Sequence, residues 1–177
     1  CPFLVDGKTN ILFAGRYDEQ KGISHLIYII RQLQDMPEYH FHVVGGGKLQ
    51  NLVDAQLGTL PNVSLHNPVF GISRYLASFD YMLMPSEFEG LPLMSVEASS
   101  AGLPVVCSDC KGLNETVPAD WQLTAHGNSH EEYMHIFRNV IPHADRAALA
   151  QTARRFVREH FSVEKMQAGY EQVYRQE

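Results

Sequence analysis

A chain of 177 residues with 45% hydrophobic content can bury one substantial core and is short for two domains. Its formal net charge of −6, from 20 acidic and 14 basic residues, excludes a broad nucleic-acid-binding surface, so any cationic site must be local. No apolar run approaches the roughly 18 residues of a membrane span, and no charged segment leads into a short apolar one as in a secretory signal; the expectation is a soluble, cytoplasmic protein.

Apolar, β-rich runs alternate with helical patterns, which predicts parallel βα units rather than hairpins. Asn10 to Ala14 reads as the first strand, and Gly22 to Asp35 as a helix with Leu26, Ile29, Ile30 and Leu33 on one face. Phe41 to Val44 is the second strand, after which Gly45 to Gly47 turn the chain into a helix ending near Gly58. Asn62 to Leu65 supplies a third strand, Ile72 to Phe79 a short helix, and Tyr81 to Met84 a fourth strand. Leu91 to Ala101 reads as a helix, Pro104 to Cys107 as the fifth strand, and Trp121 to Leu123 as the sixth. From Ser129 onward the pattern is helical, broken near Pro142 and again near Phe161 and Ser162, where Ser162 and Lys165 form a cap without a capping box. Arg154, Arg155 and Arg158 lie opposite Leu149, Ala153, Phe156 and Val157 and read as a solvated face. The expected fold is α/β, a Rossmann-like doubly wound parallel sheet of about six strands with C-terminal helices, forming one domain over residues 1–177.

The odd cysteine count argues for free thiols, and Cys107-x-x-Cys110 has no second pair to make a metal site, so Cys107 reads as a small buried residue at a strand end. The histidines are scattered; His126, His130 and His135 lack partners at metal-ligand spacing and read as surface or satisfied residues.

A doubly wound sheet binds its ligand at the carboxyl ends of its strands, and each loop of interest follows a strand. Gly15-Arg16 follows the first, the triple glycine the second, Pro68-Val69-Phe70 the third, Ser86 to Gly90 the fourth, and Ser108 to Glu115 the fifth. Arg16 and Lys21 are ordinary solvated charges taken singly, but they bracket a strand-to-helix loop where two cations can face a diphosphate. Gly45-Gly46-Gly47 fails as a dinucleotide fingerprint because position 50 is Gln50, and fails as a Walker loop because Lys48 is followed by Leu49. The most informative stretch is Met84 to Gly102. Its strand-to-helix turn offers the N–H groups of Gly90 and Leu91 and a helix dipole to an anion, whereas Pro92 has no N–H to give. Glu89 stands at the mouth of that turn and Glu97 about 12 Å along the helix axis. Such carboxylates suit the hydroxyls of sugars rather than phosphate. Glu87 reads as a solvated acid, and Phe70 is as well suited to the core as to a ligand.

Pro85-Ser86, Glu89-Gly90-Leu91-Pro92, Glu97-Ala98 and Ala101 to Val106 occur in an order that resembles the Glu-x7-Glu motif of the C-terminal, donor-binding domain in retaining GT-B glycosyltransferases, in particular family 4. Gly15-Arg16 and Lys21-Gly22 resemble that family's basic loop, and Gly45 to Gly47 its glycine turn, so the resemblance covers nearly the whole chain. It implies that Arg16 and Lys21 bind the diphosphate of a nucleotide-sugar donor, that Glu89 bonds hydroxyls of the transferred sugar, and that Glu97 holds the ribose. Arg16, Lys21 and Glu89 are thus the expected catalytic residues, with Gly15, Gly45, Val69, Phe70, Gly90, Leu91 and Glu97 on the donor. The resemblance further implies transfer with retention, no metal and no cofactor, and an acceptor held by an N-terminal domain. The start at Cys1 rather than a methionine suits a piece of such a longer protein, which would bind donor without turning over by itself. By the same resemblance the setting is bacterial surface polysaccharide assembly, with peripheral association of the full-length enzyme at the inner face of the membrane. Lys111-Gly112 departs from the paired glycines common in the family. Met166, Tyr170, Val173 and Tyr174 recur at helical spacing and form an apolar stripe; the resemblance implies that this segment packs on the N-terminal domain, so part of the stripe is expected to lie exposed, disordered or against another copy of the chain. Two other readings stay open: a nucleotide-sugar-binding module without transferase activity, and an NAD-dependent Rossmann enzyme, which the missing third glycine disfavours.

Overall fold

The computed structural model describes residues 3–162. It contains the expected six-stranded, wholly parallel sheet, in the order β3-β2-β1-β4-β5-β6. The strands are β1 (Thr9–Arg16), β2 (Tyr39–Gly46), β3 (Val63–His66), β4 (Tyr81–Met84), β5 (Val105–Ser108) and β6 (Thr124–Ala125). The helices are α1 (Ile23–Gln32), α2 (Gln50–Leu57), α3 (Leu93–Ala101), α4 (His130–His135) and α5 (Arg146–His160), with a 3₁₀ helix at Ile72–Ser78. The chain winds outward from β1 to β3, crosses back to place β4 beside β1, and winds outward again to β6. The strand order therefore reverses between β1 and β4, the switch point at whose carboxyl end a doubly wound sheet binds its ligand.

The central strands are buried on both faces, which is why β4 is a continuous apolar run without alternation. α1 covers one face through Ile23, Leu26, Ile27, Ile29 and Ile30. Cys107 is fully buried, as expected of a packed thiol, and burial raises its pKa to about 12. Both Cys107 and Cys110 are free. His130 stacks on Tyr28 with ring centroids 3.7 Å apart. One polar group does run through the core: His42 is fully buried, and its Nε2 bonds Asn10 Oδ1 at 2.8 Å while its Nδ1 lies 3.4 Å from His66 Nε2.

Two element boundaries and one side-chain reading differ most from expectation. α3 begins at Leu93, not Leu91, because a residue before proline is pushed out of the helical region and Pro92 itself serves as N-cap, its carbonyl accepting from the Ser95 N–H. The sixth strand is Thr124–Ala125 rather than Trp121 to Leu123. Trp121 and Leu123 are apolar because they are buried in a turn, where Trp121 Nε1 donates to the Val105 carbonyl at 2.7 Å. Arg154 is not merely solvated: its guanidinium donates to the Ala101 carbonyl at 2.7 Å, closing the C-terminus of α3. The expected break at Pro142 is present as a 3₁₀ turn, Ile141–His143, after which Asp145 caps α5 through the Ala148 N–H. The apolar stripe from Met166 to Tyr174 and the Ser162-Lys165 cap extend outside the described residues.

Candidate functional site

The loop after β1 is organised by its own side chains. Asp18 Oδ1 accepts the Lys21 N–H at 3.1 Å, and Arg16, with 70% of its side chain exposed, reaches Gln20 Oε1 at 3.2 Å and Asp18 Oδ2 at 3.4 Å. Gly22 then takes a left-handed conformation (φ 68°) to start α1, and a Cβ there would overlap the Pro85 carbonyl oxygen. That contact brings the β1 loop against the turn after β4. Two further bonds lace them together, from the Glu87 N–H to the Gln20 carbonyl at 2.9 Å and from Gln20 Nε2 to the Phe88 carbonyl at 3.2 Å.

Across this junction Lys21 Nζ meets Glu89 Oε1 at 2.6 Å, with side chains only 22% and 6% exposed. The same carboxylate oxygen accepts from Ser86 Oγ at 2.8 Å, and the Ser86 carbonyl in turn accepts from the buried Ser108 Oγ at 2.6 Å. Glu89 Oε2 has no hydrogen bond among the described residues, nor do the N–H groups of Gly90 and Leu91. From the other side the Glu89 N–H donates to the Lys111 carbonyl at 3.3 Å, and a Cβ at Gly112 would overlap the Gly90 carbonyl oxygen. Lys111 itself is exposed.

Two clefts open along this edge. One, of about 240 Å³, has Lys21, Ser86 and Glu89 as its polar wall and Phe13, Leu91 and Met94 as apolar ones. The other, of about 270 Å³, lies among Gly15, Arg16, Gly45, Gly46, Pro68 and Val69. Ala14 and Met94 line both, so the clefts adjoin across the end of β1. Gly45 is needed for backbone proximity: it pairs with Gly15, and a Cβ there would overlap the Gly15 carbonyl oxygen. Tyr17 fills the space behind, donating to the Val43 carbonyl, and burial raises its pKa to about 12.

The structure thus brings together Gly15, Arg16, Lys21, Gly45, Val69, Glu89 and Leu91, with Gly90 exposed in the same turn. Phe70 stands apart, fully exposed, which removes the core alternative for it. Glu97 is exposed on α3, three residues beyond Met94 and so on the same helical face, but it lines neither cleft. Glu87 is exposed, as expected of a solvated acid, but it also has partners. His25 Nε2 bonds its Oε1 at 2.9 Å and Asn128 Nδ2 donates to its Oε2 at 3.3 Å, so the carboxylate ties the β4 turn to α1 and to the loop before α4. Sequence reasoning passed over Asp18, Gln20, Ile72 and Met94, and of these only Asp18 carried a local signal, a carboxylate four residues before the glycine that starts a helix. Among the described residues there is no group of three or more His, Cys, Asp or Glu side chains able to hold a metal, and no helix long and apolar enough to cross a membrane.

A parallel sheet with two adjoining clefts and a cation at its strand-order reversal defines an α/β domain of the doubly wound class, with its ligand site at the carboxyl edge. The chain belongs to the family described as Glycosyl transferases group 1, whose model matches residues 8–159. It is similar to the O-antigen biosynthesis glycosyltransferase WbnH of Escherichia coli, 30% identical over 107 residues, which cover 60% of this chain and 30% of that protein. The chain spans about 30% of the length of curated relatives that it matches. Among solved structures it superposes on the C-terminal domain of a glycosyl transferase group 1 family protein (LpcC) from Francisella tularensis, with TM-score 0.71, 20% identity, and coverage of 89% of this chain and 88% of that one. It also superposes on Anabaena HepE in complex with UDP, with TM-score 0.79, 21% identity, and coverage of 95% of this chain and 49% of that one. At those identities the structural likeness establishes the fold.

Proposed function

We propose that this chain is the donor-binding domain of a retaining glycosyltransferase that uses a nucleoside-diphosphate sugar, the acceptor being held by an N-terminal domain outside it. The observation that carries the reading is the half-buried Lys21 ammonium in the wall of one of two adjoining clefts, each large enough for part of such a donor. The base lies in the cleft beside Gly45 and Val69, and Glu97, on the face of α3 that carries Met94, is the ribose contact of this reading. The diphosphate crosses Gly15 and Arg16 to reach Lys21 and the unengaged N–H groups of Gly90 and Leu91. The sugar then occupies the cleft walled by Ser86 and Glu89, whose open Oε2 accepts its hydroxyls.

Catalysis in this reading is stabilisation of the departing diphosphate by fixed cations and backbone donors, while positive charge develops on the sugar. Those groups supply the charge that a divalent metal supplies elsewhere, and the reading includes neither metal nor cofactor. The HepE complex with UDP supports a nucleotide in this fold, and the name of WbnH supports bacterial surface polysaccharide as the setting. The full-length enzyme would act in the cytoplasm, at the inner face of the membrane, and this domain alone would bind donor without turning it over. Calorimetry on the 177-residue chain tests the reading with uridine, guanosine and adenosine diphosphates beside NAD, each with and without chelator. One diphosphate should bind with chelator present and NAD should not. An absolute need for a divalent ion, or a preference for NAD, would refute it.

A further inference from the structure

We infer that Glu89 and the diphosphate compete for Lys21, and that this competition makes the site favour the intact donor over the nucleoside diphosphate that transfer leaves behind. The inference rests on the donor-binding reading above. In the structure the cation already has a partner: Nζ lies 2.6 Å from Glu89 Oε1, and both side chains are largely withdrawn from water. Solvent screening there is weak, so an anion entering the cleft meets a lysine whose charge its carboxylate partner has already neutralised. A nucleoside diphosphate brings only negative charge to that pair. It must draw Lys21 away and leave Glu89 desolvated with Ser86 as its remaining partner.

A sugar on the diphosphate changes this balance. Its hydroxyls donate to Glu89, replacing what the carboxylate loses when Lys21 turns to phosphate, and the cleft around Glu89 is open for them on the Oε2 side. Ser86 keeps the carboxylate from swinging out, and Ser108 holds Ser86 by its carbonyl, so Glu89 stays where it can serve either the lysine or the sugar. Once the sugar is gone, the carboxylate reclaims the ammonium and the diphosphate loses its cation. Glu89 is therefore a discriminator between donor and product as well as a sugar contact.

The test is a double-mutant cycle on the 177-residue chain, measuring dissociation constants by calorimetry for uridine diphosphate and uridine-diphosphate-glucose, with the guanosine and adenosine pairs alongside. Glu89→Gln, which keeps shape and loses charge, should bind the diphosphate on the order of tenfold tighter while the sugar donor gains nothing. In a Lys21→Met background the same Glu89→Gln change should alter diphosphate affinity less than about twofold, because there is no cation left to release. Glu89→Asp, which keeps the charge but retracts it, should also tighten the diphosphate and serves if the glutamine variant does not fold. Equal gains in both backgrounds would mean that Glu89 merely repels anions through its field, and would overturn the inference. So would no gain at all in a chain that still binds diphosphate. If no nucleoside diphosphate binds the wild-type chain, the donor-binding reading itself falls.

Discussion

The buried histidine of β2 makes the fold sensitive to acid in a way that can be worked out in advance. His42 has no solvent exposure, and burial, reinforced by His40 and His66, lowers its pKa from 6.5 to about 4. Its hydrogen bonds describe one neutral tautomer: Nε2–H donates to Asn10 Oδ1, which leaves Nδ1 to accept from His66 Nε2. A proton added at Nδ1 would face another donor at a side chain closed off from solvent. Because the folded pKa lies below the unfolded value, the unfolded chain takes up the proton first, so the contribution is fully present above pH 6.5 and is lost as pH falls toward 4. At roughly 1.4 kcal/mol per pH unit, the gap corresponds to about 3 kcal/mol, a large share of the stability of one domain. His40 and His66 are lowered as well, also by burial, and act in the same direction. Urea unfolding followed by far-ultraviolet circular dichroism at several pH values between 7 and 4 measures the effect, with His42→Gln as reference to remove the carboxylates' own contribution. The variant's stability should fall less steeply with acid than the wild type's, by close to one proton across the window. Parallel profiles for the two proteins would refute the reasoning.

Other outcomes follow from the site. Arg16→Ala should weaken nucleoside diphosphate by only about 1 kcal/mol, since its guanidinium is mostly in water, and should leave binding of the bare nucleoside unchanged; equal losses for both ligands would contradict the assignment to phosphate. Glu97→Ala should weaken nucleoside and diphosphate alike, by about 1 kcal/mol, because a ribose contact is common to both, and titration calorimetry separates the two patterns. Gly112→Ala, at a left-handed position (φ 88°) whose Cβ would overlap the Gly90 carbonyl, should lower the melting temperature and weaken diphosphate binding together; an unchanged melting temperature would show that the loop yields freely.

How far the sequence discloses this arrangement depends on the distance over which each feature is determined. β4 is legible residue for residue, since an uninterrupted apolar run bounded by Asp80 and Pro85 has few other places to go. The apolar pattern at Trp121 and Leu123 misleads because alternation reports burial, and burial arises in turns as well as in paired strands. His42 gives no local sign of being different from His126, for its environment is assembled by the register of β1, β2 and β3. The site divides in the same way. The presence of Arg16, Lys21, Glu89 and the glycine turns on one sheet edge follows from each loop coming after a strand, which is a local property. The pairing of Lys21 with Glu89, 68 residues apart, follows instead from β4 lying beside β1, and that adjacency belongs to the winding of the whole chain. Glu87 illustrates the point most sharply. It stands two residues from Glu89 in the same turn, yet Glu89 meets Lys21 in the loop after β1 while Glu87 meets His25 on the flank of α1. Residue type and spacing select the candidates, and only the strand order decides which cation each acid will meet.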